Sequence, residues 1–156
     1  MNKKLNLAVI ILAVIGVPLV YAANVHFKKA PTFSDQGTTL RTCFSLAGLG
    51  MEDVTITVKT TGSATTICTN QGGNAAPGQN KVPVSPSAQQ TFPSTEIKNG
   101  NLSVCLTTAA PPQPTATEAG CPNSNWSANI TDVQFATAEV IVEQAGKVVL
   151  DQKFRP

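Results

Sequence analysis

The chain predicts an all-β domain: an immunoglobulin-like antiparallel β-sandwich of seven or eight strands with two long loops, stabilised by disulfides, with a small barrel as the alternative architecture. Three observations carry the prediction. Apolar and polar residues alternate along several stretches, and none keeps the 3.6-residue period of an amphipathic helix. Threonine and valine are abundant while aromatic residues make up 5% of the chain, a composition suited to half-buried pleated surfaces. Four cysteines lie far apart in a chain that opens with an export segment.

That segment, "MNKKLNLAVIILAVIGVPLVYAA", places Lys3 and Lys4 before an apolar run, Pro18, and small residues that set cleavage after Ala22. The run from Leu5 to Val17 is shorter than the roughly 20 residues of a membrane span. Residues 1–22 therefore read as a signal peptide and residues 23–156 as a single β-sandwich domain, secreted or held at the cell surface, with no membrane span after cleavage. Removing Lys3 and Lys4 from the eleven Lys and Arg leaves nine against nine Asp and Glu. This balance argues against a nucleic-acid partner.

Along the chain, "NVHFK" opens the strands. In "TLRTCFSLAG", Leu40, Phe44 and Leu46 share one parity and Arg41, Cys43 and Ser45 the other. "DVTITVKT" sets Val54, Ile56 and Val58 against threonines, and the short "ATTIC" follows as a further strand. "KNG" marks a tight turn, since asparagine and glycine accept positive φ, before "NLSVCLTT" with Leu102, Val104 and Leu106 inward. "WSANITDVQF" changes phase between Ile130 and Val133, which predicts a bulge or a crossing between sheets near Asp132. "AEVIVEQAGKVVLDQKF" reads as a hairpin turning at Ala145 and Gly146, with Val140, Val142, Val148, Leu150 and Phe154 inward. The two long loops are Thr69 to Ser94, containing "CTNQGGNAAPGQNKVP", and Ala109 to Asn125.

Cys43 and Cys105 fall on the polar phase of clear strands and are expected to join neighbouring strands on the outer face of one sheet, leaving Cys68 and Cys121 for the two loops. Four cysteines allow three pairings, so strand phase favours this one without fixing it. No CxxC pair or nearby histidines suggest zinc.

"LAGLGMEDVTITVKTTGSATTICTNQGGNAAPGQN", "EIKNGN" and "CPNSNWSANITDVQFATAEVIVEQAGKVVL" resemble a group of uncharacterised secreted small β-domain proteins that share "GLG..DVT", "CTN.GGN.APGQN" and "CPN.NW...I.DV.F". The resemblance runs from about Leu46 to Leu150. It implies a small extracellular β-domain whose motif cysteines match Cys68 and Cys121, with Cys43 and Cys105 as additions. It implies no activity.

Nucleophilic catalysis through histidine is restricted to one residue, His26, beside the mature amino terminus. Were cleavage to follow Ala23, the chain would begin Asn-Val-His and His26 would complete a copper(II) or nickel(II) chelate; as an ordinary strand residue it needs no ligand. Glu52 and Asp53 sit in a turn, Glu139 and Glu143 on one strand face, and Asp35 lacks a calcium-binding loop around it. "NQGGN" lacks the lysine, hydroxyl and helix of a phosphate loop. Thr55, Thr57, Thr65 and Thr66 suit exposed strand positions without an ice-binding repeat, and Trp126 reads as core. Asn101, Asn125 and Asn129 form glycosylation sequons of consequence only in a eukaryotic secretory route.

The expected function is therefore a non-catalytic interaction or structural module with no cofactor, facing a protein or surface partner and able to oligomerise through edge strands. The alternative is a small-ligand or metal-binding extracellular protein. Its candidate loop site comprises Asn70, Asn74, Gln79, Asn80, Asn123 and Asn125.

Overall fold

A computed structural model describes residues 24–156; residues 1–23, which include the whole expected signal peptide, lie outside the described residues. The described residues form nine strands: β1 (His26–Asp35), β2 (Leu40–Ala47), β3 (Val54–Thr69), β4 (Ala75–Pro77), β5 (Val82–Val84), β6 (Ser87–Phe92), β7 (Leu102–Thr107), β8 (Ser127–Gln144) and β9 (Lys147–Phe154). One sheet has the order β1-β2-β7. The other is built on the β3–β8 pair, with β9 beyond β8 and β4, β5 and β6 along the far edge of β3. All these pairings are antiparallel. The two sheets close on Phe44, Leu46, Val54, Ile56, Val58, Leu102, Val104, Leu106, Val140 and Val142, so the alternation read from the sequence is the alternation of the core.

The sequence suggests two separate strands where β3 is one, and two again where β8 is one. β8 stays in register through bulges: pairing slips at Ala136, opposite Thr61 and Gly62, and at Thr131, opposite Thr65 and Thr66. The expected phase change near Asp132 is therefore a bulge, and it lets Ile130 and Val133 both turn inward although three residues apart. Gly62 is dictated by the other bulge, because a Cβ there would lie 2.5 Å from the Gln134 carbonyl oxygen. Two amides near the Thr131 bulge find partners outside the ladder. Ile130 N donates to Gln113 Oε1 (2.6 Å) and Val133 N to the Gly37 carbonyl (2.9 Å).

Half of the first long loop is strand. After a turn at Asn70–Asn74, the chain runs back along β3 as β4, β5 and β6, pairing in succession with Ile67–Thr69, Gly62–Ala64 and Val54–Lys59. Pro77, Pro83 and Pro86 mimic loop composition, yet proline is compatible with an edge, where an outward amide need not donate. Val148 departs from its expected inward phase. Pairing slips at Val149, which turns Val148 out to 56% exposure while Val149, Leu150 and Phe154 pack on the core. Both expected tight turns form: Asn99 and Gly100, and Ala145 and Gly146, all have positive φ, as two-residue hairpin turns require.

Half of the β3–β8 ribbon extends past the three-stranded sheet. Its inward residues Ala64, Ile130 and Val133, with Val84 of β5, form a second small core to which no described residue of β1, β2 or β7 contributes. The segment between β7 and β8 covers it, with Pro111 and Ala119 buried and Gln113 bonded to Ile130. The second long loop is thus a lid held to this end of the ribbon by that bond and by the Cys68–Cys121 bridge.

Gln144 ends β8 with a buried amide that accepts from Gly50 N (2.8 Å) and donates to the carbonyls of Gly50 (3.2 Å) and Glu52 (2.6 Å). It fastens the β2–β3 connection to the core. Gln144→Leu strands one amide and two carbonyls, and at about 1–3 kcal/mol for a buried unsatisfied group it is expected to lower stability by about 3 kcal/mol in urea unfolding. A loss below about 1 kcal/mol would show that water replaces the side chain.

Candidate functional site

The expected loop site resolves into two turns and a clasp at one end of the β3–β8 ribbon. Asn70 shapes the first turn: its Oδ1 accepts from Asn74 N (2.9 Å), its carbonyl accepts from Gly73 N (3.0 Å), and Gly73 has φ 78°. Asn123 shapes the second, its Oδ1 accepting from Asn125 N (3.0 Å) and its carbonyl from Trp126 N (3.2 Å). Trp126 itself is half-buried and lies outside both core clusters. Thr69 pairs with Ser127, so both turns sit at the same tip. Asn74 and Asn125 are exposed there.

The clasp rests on residues whose signal the sequence reading passes over. "TATEAGC" is a single helical turn with both ends capped. Glu118 Oε2 accepts from Thr115 N and Thr115 Oγ1 (both 2.8 Å), while Thr115 Oγ1 accepts from Glu118 N (3.2 Å). At the other end Cys121 N donates to Ala116 O (2.8 Å) and Gly120 N to Thr117 O (3.1 Å), with Gly120 at φ 68°, the pattern of a Schellman cap. The spacing Thr-x-x-Glu followed by Gly could have revealed it.

The carbonyls left at that cap are taken by the other loop. Asn80 N donates to Ala119 O (3.1 Å), Asn80 Nδ2 to Glu118 O (3.2 Å) and Gln79 N to Gly120 O (3.4 Å). Gln79 Nε2 turns back onto Pro77 O (3.1 Å). Beside this contact the Cys68–Cys121 bridge joins the same two segments, its Cα atoms 5.7 Å apart, with Cys68 wholly buried. Four of the six candidate residues, Asn70, Gln79, Asn80 and Asn123, thus use their side chains to hold the loops. The arrangement is a rigid clamp rather than an open donor array.

The other bridge, Cys43–Cys105, crosses directly opposed positions of β2 and β7 with Cα atoms 4.1 Å apart. Both bridges follow the pairing favoured by strand phase. His26 is exposed on β1, and its Nδ1 lies 2.8 Å from the Asn24 carbonyl. Among the described residues no three His, Cys, Asp or Glu converge as metal ligands would. No described helix is long and apolar enough to cross a membrane.

Two outcomes test the clamp. A Cβ at Gly78 would overlap Thr66 Oγ1 and lie 2.7 Å from Ala119 O, so Gly78→Ala is expected to cost about 2 kcal/mol in thermal or urea unfolding; an unchanged midpoint would show that the clamp gives way freely. The Glu118 carboxyl is held below its ordinary 4.5 by the Thr115 amide first and the Thr115 hydroxyl second. Its contribution is therefore complete above the ordinary value and lost as pH falls through the lowered one. The Thr115 amide NMR shift should titrate with a midpoint below 4.5 and lose that step in Glu118→Gln.

No family model matches the chain, and no curated protein sequence matches it. Among solved structures it is similar to a glycosyl hydrolase family 2 member from Bacteroides cellulosilyticus DSM 14838, at 10% identity and a TM-score of 0.33. The similarity covers 83% of this chain and 15% of that one.

Proposed function

We propose that the protein is an exported, non-catalytic interaction or structural module that engages a partner chain by strand addition at β7. The observation that carries the reading is an imbalance among the sheet edges. β1 carries Lys28, Lys29, Pro31 and two register slips; β9 carries Lys147, Asp151, Lys153 and the Val149 slip. β4 and β5 contain prolines, and β6 follows Pro86 and already accepts Ala109 N at its Ser87 carbonyl. Such features discourage pairing with another chain. Among the described residues β7, "LSVCLT", pairs only with β2, and it has neither charge, proline nor slip.

The ladder phase gives that edge a usable set of donors and acceptors. Leu40 and Thr108 bond each other across the end of the β2–β7 ladder, Thr108 N to Leu40 O (3.0 Å) and Leu40 N to Thr108 Oγ1 (3.0 Å). Alternation then turns the backbone amides and carbonyls of Ser103, Cys105 and Thr107 away from β2, toward the free side. An extended segment docking there would extend the three-stranded sheet, with affinity from main-chain bonds. Export is supported by the amino-terminal segment, the two bridges and the resemblance to secreted β-domains. The sheet assignments, β1-β2-β7 facing β3-β8-β9, support an immunoglobulin-like connectivity.

Crosslinking of the mature chain, alone and in extract from its source, tests the reading against Ser103→Pro. This substitution removes an outward amide and no backbone β2–β7 bond, at the cost of one exposed hydroxyl contact, Ser45 Oγ to Ser103 Oγ (2.9 Å), which Ser103→Ala removes alone as the control. Complexes formed by the wild type are expected to fall at least about tenfold in the variant, the effect of roughly 1.4 kcal/mol of lost pairing. Complexes that survive the proline, or none in either protein, overturn it.

A further inference from the structure

We propose that Cys43–Cys105 is a site of thiol–disulfide exchange with an external dithiol, while Cys68–Cys121 is the permanent structural bridge. The two differ in surroundings. Cys68 is wholly buried and its partner segment is held by the capped turn, whereas Cys105 is exposed on an edge strand and Cys43 is half-buried beside it. A shallow depression of about 250 Å³ surrounds the exposed bridge, bordered by Lys29, Thr32, Ser45 and Ser103. It lies beside the part of β1 where pairing with β2 slips on either side of Lys29.

The topology also selects the sulfur. Exchange requires attack along the S–S axis, from behind the sulfur that is struck. Behind Cys43 lies β1, whose Thr32 is its register partner and bonds its carbonyl (3.2 Å). Behind Cys105 lies the free side of β7. The incoming thiolate therefore bonds to Cys105 Sγ, the S–S bond breaks, and its electron pair leaves on Cys43 as a thiolate. Lys29, which pairs with Ser45 two residues along β2 and lines the same depression, supplies an ammonium near that developing charge. The second thiol of the dithiol then attacks the mixed disulfide and releases Cys105. The dithiol ends as a disulfide, having given up two electrons and two protons, and Cys43 and Cys105 end as thiols. The reduced strands stay together, because Leu102, Val104 and Leu106 remain in the core and the β2–β7 ladder is backbone-bonded.

Limiting dithiothreitol followed by iodoacetamide and peptide mapping tests the assignment on the folded mature chain. Cys43 and Cys105 are expected to be alkylated at least about tenfold faster than Cys68 and Cys121, with the far-UV circular dichroism unchanged. With reduced glutathione in place of dithiothreitol and rapid alkylation, the glutathione adduct should sit on Cys105 and the alkyl group on Cys43. Lys29→Met, an exposed change that leaves the bridge in place, should slow the first step about threefold. Loss of both bridges together with the β-sheet signal overturns the proposal, as does prior reduction of Cys68–Cys121. Glutathione on Cys43, or an unaltered rate in Lys29→Met, overturns the depression as the reactive site.

Discussion

The pairing of β3 with β8 sustains the rest of the structure. Every residue of β3 has a partner on β8, and each other strand of the larger sheet is laid against one of these two. A ladder of this length accumulates twist, and the bulges at Thr131 and Ala136 are where it is taken up. They rotate successive segments of β8 so that Ala128, Ile130, Val133, Ala138, Val140 and Val142 are all buried. The amides freed beside the Thr131 bulge reach Gln113 and Gly37, so an irregularity in one strand becomes the anchor of two distant connections.

Because the ribbon is longer than the three-stranded sheet, it leaves apolar surface uncovered, and the molecule meets this with a lid. Polyproline-like "APPQP" and the capped turn at Thr115–Cys121 make a cover that has no sheet to pair with and so must satisfy its own backbone. The glycines and amide side chains of "CTNQGGN" and "APGQN" answer that need. Asn70 closes a turn, Gly78 permits close approach to Thr66 and Ala119, and Asn80 takes the terminal carbonyls of the cap. A bridge closing a separation of 53 residues adds about 4 kcal/mol by limiting the unfolded chain, in the chain-entropy account.

The alternating strands were legible because one face of each is buried and the period of two is undisturbed: Leu40 to Leu46, Val54 to Val58 and Leu102 to Leu106 all turn inward as their parity suggests. Legibility failed where local chemistry and tertiary role diverge. β4 and β5 are too short and too rich in proline to show a period, and exist because β3 offers them an edge. Val148 follows a regular pattern that a slip one residue later reverses. In the loops, asparagine and glycine look the same whether they greet a ligand or close a turn, and only hydrogen-bond partners distinguish the two uses. The phase of Cys43 and Cys105 was informative because directly opposed strand positions place Cβ atoms within disulfide reach.

The aromatic contacts at the other side of the sandwich have a mechanical consequence. Phe154, at the end of β9, packs against Phe27 and Phe33 of β1, with ring centroids 5.5 and 5.8 Å away. The first and last strands of the domain therefore leave it at nearly the same point. Tension applied through the flanking chain would be felt across this small cluster and peel β1 and β9 sideways, one bond pair at a time. The long central ladder, clamped at its far tip, would be shielded from the pull until both outer strands had come away.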